Sequence, residues 1–202
     1  MPEDFYNSVE EKSRTEFKEK KSKFIANVIP IENKEQAKEE LDKIKKEFYN
    51  ASHNCYAWRL GNEGLEYRSS DDGEPNGSAG KPILFALKKY NVSDVLLVVT
   101  RFFGGTKLGV GGLARAYGGA AELVLEDIVK RQVDIFKRVS VFCTYEEINI
   151  IKRLLSEYAL SYEETYTDSI VILARIPQSK MDEFCEKIVA KTNARAGFRL
   201  LD

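Results

Sequence analysis

Glycine is concentrated in one part of this chain, and that distribution limits the folds available to it. Twelve of the 13 glycines lie from Gly61 to Gly119, and the remaining one is Gly197. Glycine is used where a backbone turns sharply or approaches another group closely, because it has no side chain to clash. After Glu122, apolar residues instead recur at regular helical and strand spacing. We therefore predict a glycine-dependent N-terminal region followed by a more regular C-terminal one.

The chain has 202 residues, which at about 150 residues per domain allows one large domain or two small ones. We place the boundary after residue 135, giving domains 1–135 and 136–202. Hydrophobic residues are 43% and charged residues 31%, a globular composition that excludes a disordered, collagen-like or membrane-spanning chain. The net charge of −1 excludes a uniformly basic nucleic-acid binder but allows a local basic patch.

The cysteines and the N-terminus indicate a reduced, cytoplasmic setting. Three scattered cysteines (Cys55, Cys143 and Cys185) do not suggest a disulfide framework. The first 12 residues are acidic and polar, so they lack the apolar core of a signal peptide.

The first region is predicted to be a mixed α/β domain. Apolar residues at helical spacing predict helices over 34–49 and 113–128, and Pro82 suits the first turn of a shorter helix. Strands are predicted at 24–31, 54–60, 65–69 and 95–101, the middle two as a hairpin.

The second region is predicted to be a ferredoxin-like βαββαβ domain, so the whole chain is α+β. Its predicted elements are strand 137–146, helix 148–158, strands 160–168 and 169–176 with a turn near Thr167-Asp168, helix 181–189 and strand 195–200. We find no catalytic constellation in it and interpret it as a packing or interaction module.

The segment Arg101–Arg115 joins a buried strand to a long helix and carries the strongest functional signal. Its glycines are Gly104, Gly105, Gly109, Gly111 and Gly112. Such a junction presents backbone N–H groups and the positive end of a helix dipole, which favour phosphate or carboxylate. Arg101, Lys107 and Arg115 add positive charge, so we predict an anion site. The alternative is that the glycines only permit a tight crossover.

Two common phosphate-binding motifs do not fit this segment. It lacks the Gly-Lys-Ser/Thr of a Walker A loop. Gly109, Gly111 and Ala114 match a loose dinucleotide-binding pattern, but no acidic residue follows at the end of a second strand. A dinucleotide site is therefore not favoured.

The acidic stretch Ser69–Pro82 is a second candidate site. Its carboxylates could hold Mg²⁺ or Ca²⁺, but we favour a solvated turn that caps the Pro82 helix. The candidate polar site consists of His53, Asp71, Asp72, Glu74 and Ser78. A Ser-His-Asp triad has no support from spacing, and a single histidine with dispersed cysteines does not favour zinc. We predict instead that His53 hydrogen-bonds to the acidic loop.

Four short motifs together resemble the signature of a known family. They are His53–Ala57, Asp71–Pro75, Ala79–Leu84 and, above all, Val98–Gly109. Through these motifs the sequence resembles the bacterial two-domain members of the IMPACT/YigZ family. The resemblance covers roughly residues 15–130, and the rest looks like the ferredoxin-like C-terminal domain of the bacterial members.

The resemblance implies an N-terminal fold shared with a small-subunit ribosomal protein, domain IV of elongation factor G and the GHMP kinases. It implies a C-terminal domain similar to domain V of elongation factor G, and the pair suggests work on RNA or the ribosome. Eukaryotic relatives are translation regulators that compete for a ribosome-associated activator of a stress kinase. They carry a different second domain, so we do not assign their binding partner to this chain.

Our main hypothesis is a non-enzymatic, translation-related regulator that binds RNA or the ribosome without a cofactor. The residues assigned to anion or nucleic-acid binding are Arg101, Lys107, Arg115, Lys81, Gly104, Gly105, Gly109, Gly111, Gly112 and Phe102. Phe102 or Phe103 would stack a base, although either can equally belong to the core. One alternative is a phosphate- or nucleotide-binding enzyme resembling the GHMP kinases, with Mg²⁺ held by Asp71, Asp72 or Glu74. The other is a protein-binding translation regulator.

Overall fold

A computed structural model describes residues 4–166 and 169–201, and the chain divides into two compact units. One unit is Tyr6–Val133, and the other runs from Asp134 onward and includes the residues before Tyr6. The turn predicted at Thr167-Asp168 lies outside the described residues.

The first unit is built on a five-stranded antiparallel sheet. Its strands are β2 Ser13–Glu19, β3 Ser22–Pro30, β4 His53–Leu60, β5 Glu66–Ser70 and β6 Val95–Phe102, in the order β2-β3-β6-β4-β5. Its helices are α1 Lys34–Glu47, α2 Gly80–Lys89 and α3 Gly109–Glu126. A separate two-stranded sheet pairs β1 Phe5–Val9 with β7 Lys130–Asp134.

Helices cover both faces of this sheet. The core of one face includes Leu97 and Val99 of β6 and Tyr117 of α3, and the core of the other includes Leu96 and Val98 with residues of α1. Because both faces are covered, β6 is buried from Val95 through Arg101. This explains why the strand is an unbroken apolar run rather than an alternating one.

The predicted elements of this region are confirmed, with three omissions and one shifted boundary. Strands β1, β2 and β7 are not predicted from the sequence. Strand β1 has only five residues, and β2 and β7 are mostly polar, reading SRTEFKE and KRQVD. Helix α3 begins at Gly109 rather than Leu113. Gly111 and Gly112 therefore belong to its first turn and not to the preceding loop.

The second unit has the predicted βαββαβ order, which confirms the α+β class. Its elements are β8 Phe136–Cys143, α4 Ile148–Tyr158, β9 Ser161–Tyr166, β10 Ile170–Pro177, α5 Met181–Thr192 and β11 Gly197–Leu201. The sheet order is β11-β8-β10-β9, and its core combines residues such as Val141 and Ile172 with Leu155 of α4 and Phe184 of α5. Among the described residues, no helix has the length and apolar composition needed to cross a bilayer.

Candidate anion-binding site

Arg101, at the end of β6, lies in a buried cluster with Glu74 and Tyr117. Arg101 is only 5% exposed, and its Nη1 donates a hydrogen bond to Glu74 Oε1 over 2.6 Å. The Tyr117 hydroxyl donates to the same oxygen over 2.8 Å. The charge of Arg101 is therefore neutralised inside the protein. The expectation that Arg101 faces an external anion is corrected, because strand β6 carries it into the core.

His53 and Cys55 border this buried cluster on β4. His53 Nε2 lies 4.0 Å from Glu74 Oε1, and its Nδ1 lies 2.8 Å from the carbonyl oxygen of Asp72, which confirms the predicted contact with the acidic loop. The Cys55 thiol is buried and donates to the Asp71 carbonyl over 3.0 Å. Burial raises the pKa of this thiol to about 12, so it is protonated at neutral pH and is not an activated nucleophile.

The carboxylates of the acidic loop each bind a different set of partners within the protein. Asp71 accepts hydrogen bonds from the backbone N–H groups of Gly77, Ala79 and Gly80 at 2.8–2.9 Å, at the start of α2. Burial opposes ionisation of Asp71, but these three donors bring its pKa below the ordinary value. The predicted capping of α2 by this loop is therefore confirmed, but Glu74 and Ser78 are buried, so the turn is only partly solvated.

Asp72 accepts from the Asn54 N–H over 2.7 Å and pairs with Lys45 over 3.0 Å. Ser78 is fully buried, and its hydroxyl has no hydrogen-bond partner within the described ranges. In that same part of the chain, no group of three or more His, Cys, Asp or Glu side chains is arranged to hold a metal. The polar-site residues other than Ser78 therefore make separate internal contacts, and they do not converge on one ligand position.

The glycine-rich loop needs its glycines for two different reasons. A Cβ on Gly104 would lie 2.0 Å from backbone atoms of Lys21, so this loop passes directly against the turn between β2 and β3. Gly105 and Gly109 have φ angles of +84° and +71°, in the left-handed region that side chains disfavour. The glycines therefore bring the loop close to the Lys20-Lys21 turn.

Exposed cations lie around the N-terminus of α3. Lys107 and Arg115 are exposed, and Arg115 lines a cavity of about 180 Å³ together with Lys20. Helix α3 has no side-chain cap and no acidic residue in its first turn. We call Lys20, Lys21, Lys107 and Arg115 the α3 cationic surface. No member of it has an ion-pair partner among residues 4–166 and 169–201.

The sequence analysis missed two members of the α3 cationic surface. Lys20 and Lys21 form the turn between β2 and β3, and β2 was not predicted. The one signal in the sequence is weak: uncharged residues alternate with charged ones from Ser13 to Lys18, and Lys20-Lys21 is not a pair that favours turns. Lys81, which was predicted to contact the anion, lies on α2, where its positive charge helps to lower the pKa of Asp71.

The two phenylalanines of the motif have different environments. Phe102 is half-buried and packs edge-to-face against Phe48, with ring centroids 6.2 Å apart. Phe103 is 51% exposed, and its ring lies 5.4 Å from the guanidinium carbon of Arg101. Phe103 is therefore the more exposed ring, and the assignment of Phe102 to a binding surface stays a prediction.

Two family models match this chain. The Impact N-terminal domain matches residues 20–125, and a domain of unknown function, DUF1949, matches residues 141–195. The first range contains β3 through α3, including the buried cluster, Lys107 and Arg115. The second contains most of the βαββαβ unit.

Individual relatives agree with these matches. IMPACT family member YvyE of Bacillus subtilis is 33% identical over 195 residues, covering 96% of this chain and 90% of the relative. A protein IMPACT homolog of Dictyostelium discoideum is 39% identical, but over only 45% of this chain and 27% of its own length. A crystal structure of a hypothetical protein has a TM-score of 0.71 at 27% identity, covering 99% of this chain and 98% of that one.

Proposed function

The chain belongs to the IMPACT family, and from this membership we propose that it is a non-enzymatic, translation-related regulator that binds RNA or the ribosome. The proposed contact is the α3 cationic surface, with Phe103 beside it along the chain. One observation carries the proposal: four cations without ion-pair partners in the described structure lie in the loop before α3, in its second turn and in the β2–β3 turn that contacts the loop. Helix α3 itself has no side-chain cap.

The physical argument is electrostatic. Cations that are paired inside a protein have little attraction left for a ligand, whereas unpaired cations attract phosphate and release its counterions. The N–H groups of the first turn of α3 add donors that suit a phosphate oxygen. Arg101 takes part only indirectly, because its buried pair with Glu74 holds the end of β6 from which the loop departs.

The internal use of the acidic carboxylates favours this function over a nucleotide-dependent enzyme. Asp71 caps backbone N–H groups, Asp72 pairs with Lys45, and Glu74 accepts from Arg101 and Tyr117. Each carboxylate would have to abandon these contacts to hold Mg²⁺. The GHMP-kinase-like alternative therefore has less support than phosphate-backbone binding.

A charge-reversal experiment tests the proposal. We expect Lys107→Glu/Arg115→Glu to bind a fluorescein-labelled 20-nucleotide single-stranded RNA, or purified ribosomal subunits, about tenfold or more weakly than the parent chain. The log–log salt slope should fall by about 1.4, at about 0.7 for each lost phosphate contact. Fluorescence anisotropy and co-sedimentation measure these changes.

The matched control is Lys38→Glu/Lys46→Glu, two exposed positions on α1 with the same net change in charge. This control should retain most of the binding. If both variants lost the same amount of RNA affinity, the effect would come from net charge alone, which would contradict a localised binding surface. A shift in melting temperature of several degrees with ATP or GTP and Mg²⁺, together with no RNA binding, would replace the proposal with the enzyme alternative.

A further inference from the structure

The sheet of the second unit has one face that helices α4 and α5 do not cover. Core residues such as Val139, Val141 and Ile172 alternate along β8 and β10 with residues that point to the opposite face. On that face Phe142 is 41% exposed and Leu173 is 47% exposed. Strands β8 and β10 are the two central strands, so these apolar side chains lie in the middle of the sheet.

Arginines surround these apolar side chains. Arg138 and Arg175 are direct cross-strand partners on this face, and Arg199 lies opposite Ser140. Arg175 lies over the ring of Phe136, with its guanidinium carbon 5.1 Å from the ring centroid. The arrangement therefore concentrates positive charge around exposed rings.

Arg175 and Arg199 have no carboxylate partner in the part of the chain that the structure describes. By register, Glu163 on β9 is the acid that shares this face within the described strands, opposite Leu173. Two exposed arginines without a carboxylate partner among the described residues, Arg175 and Arg199, favour an anionic ligand at this face.

The space beside Phe142 is open. Phe142 is paired with Gly197 of the neighbouring strand, and a Cβ on Gly197 would meet no atom within 4 Å. A planar ring can therefore lie on or beside the Phe142 ring without displacing a side chain of β11. Aromatic rings on the central strands of a four-stranded sheet are a known means of stacking unpaired bases.

We propose that this open sheet face, defined by Phe136, Phe142, Leu173, Arg175 and Arg199, binds single-stranded RNA. A base stacks on Phe142, and Arg175 and Arg199 contact the flanking phosphates. The combination favours RNA over a protein partner, because exposed rings bordered by unpaired arginines match both the flat bases and the charged backbone of a single strand. The proposal does not require the α3 cationic surface.

The test compares variants of the full chain for binding to a fluorescein-labelled octauridylate. We expect Phe142→Ala/Arg175→Ala to weaken binding about tenfold or more, since stacking and a phosphate contact are both lost. Tyr145→Ala, which removes an exposed ring outside this face, should bind like the parent chain. Because positions 142 and 175 are exposed, all variants should show the same melting temperature within a few degrees.

The same titration followed by ¹H–¹⁵N spectra separates this proposal from the previous one. Shifts at amides of 138–142, 171–175 and 197–199 support the open face, and they should persist in Lys107→Glu/Arg115→Glu. Shifts confined to 103–115, or none at millimolar RNA, would overturn the proposal. It would also be overturned if Phe142→Ala/Arg175→Ala abolished a dimer seen by sedimentation but left RNA binding intact, since the face would then join two copies.

Discussion

Arg101 and Arg115 begin and end one glycine-rich segment, yet the structure places them in opposite environments. Arg101 is buried and paired with Glu74 in a cluster completed by Tyr117, whereas Arg115 is exposed and has no ion pair within the described residues. The buried cluster contributes to holding the fold, and the α3 cationic surface is available to a ligand. The comparison shows that a run of cations is not one functional unit. Burial assigns each cation its role.

The largest expected effect comes from removing one partner of the buried cluster. Glu74→Ala should lower the free energy of unfolding by about 3–5 kcal/mol, because it leaves the Arg101 charge buried without its partner. Urea denaturation measures this loss. The double variant Glu74→Leu/Arg101→Met should recover much of it. A loss below about 1 kcal/mol in Glu74→Ala would contradict the assignment of Arg101 to the interior.

The next largest effect on stability is expected at Gly104, and it should exceed the effect at the adjacent Gly105. Gly104→Ala should cost about 1–3 kcal/mol, because its methyl group would collide with the Lys21 backbone. Gly105→Ala should cost about 1 kcal/mol, since its methyl group meets open space and only the positive φ opposes it. The same denaturation experiment ranks them. The reverse order would mean that the loop does not pack against the β2–β3 turn.

A smaller effect depends on pH. The three N–H donors hold the pKa of Asp71 below its ordinary value, so its stabilisation is complete above about pH 4 and is lost as the pH falls through the folded-state pKa. Asp71→Asn should therefore cost about 1 kcal/mol at pH 7 and less at pH 3. Urea unfolding at both pH values measures the difference. A cost that does not shrink in acid would exclude the carboxylate charge as its source.

The smallest effect on stability is expected at the exposed end of the segment. Lys107→Glu and Arg115→Glu should each change the free energy of unfolding by no more than about 0.5 kcal/mol, since neither side chain has an ion pair among the described residues to lose. Thermal and urea unfolding check this. A loss comparable to that of Glu74→Ala would remove the distinction between the two regions.

Much of the fold could be predicted because its signals are local. The aliphatic run at 95–99 and the helical spacing after Leu113 depend only on neighbouring residues, and both elements were predicted. Strand β2 was missed because its polar residues satisfy no core pattern by themselves. Only its pairing with β3 makes it a strand.

The candidate site was harder to predict than the fold. Its motifs could be found from residue type and spacing. The difference in exposure between Phe102 and Phe103 could not, because it depends on Phe48, the residue that follows α1, packing against one ring. Lys20 and Lys21 were likewise absent from the prediction, because their turn lies more than 80 positions from the loop that it contacts.

The sequence by itself determined the helices, the strands that carry apolar patterns, the glycine-dependent junction and the supply of charged groups. These follow from periodicity and backbone freedom, which act over a few residues. Only the tertiary structure decided which charges neutralise one another. Glu74 and Arg101 are 27 positions apart, and the fold brings their side-chain atoms to 2.6 Å. Charge interactions and burial act through space, so residues with the same charge in one motif lie in different environments.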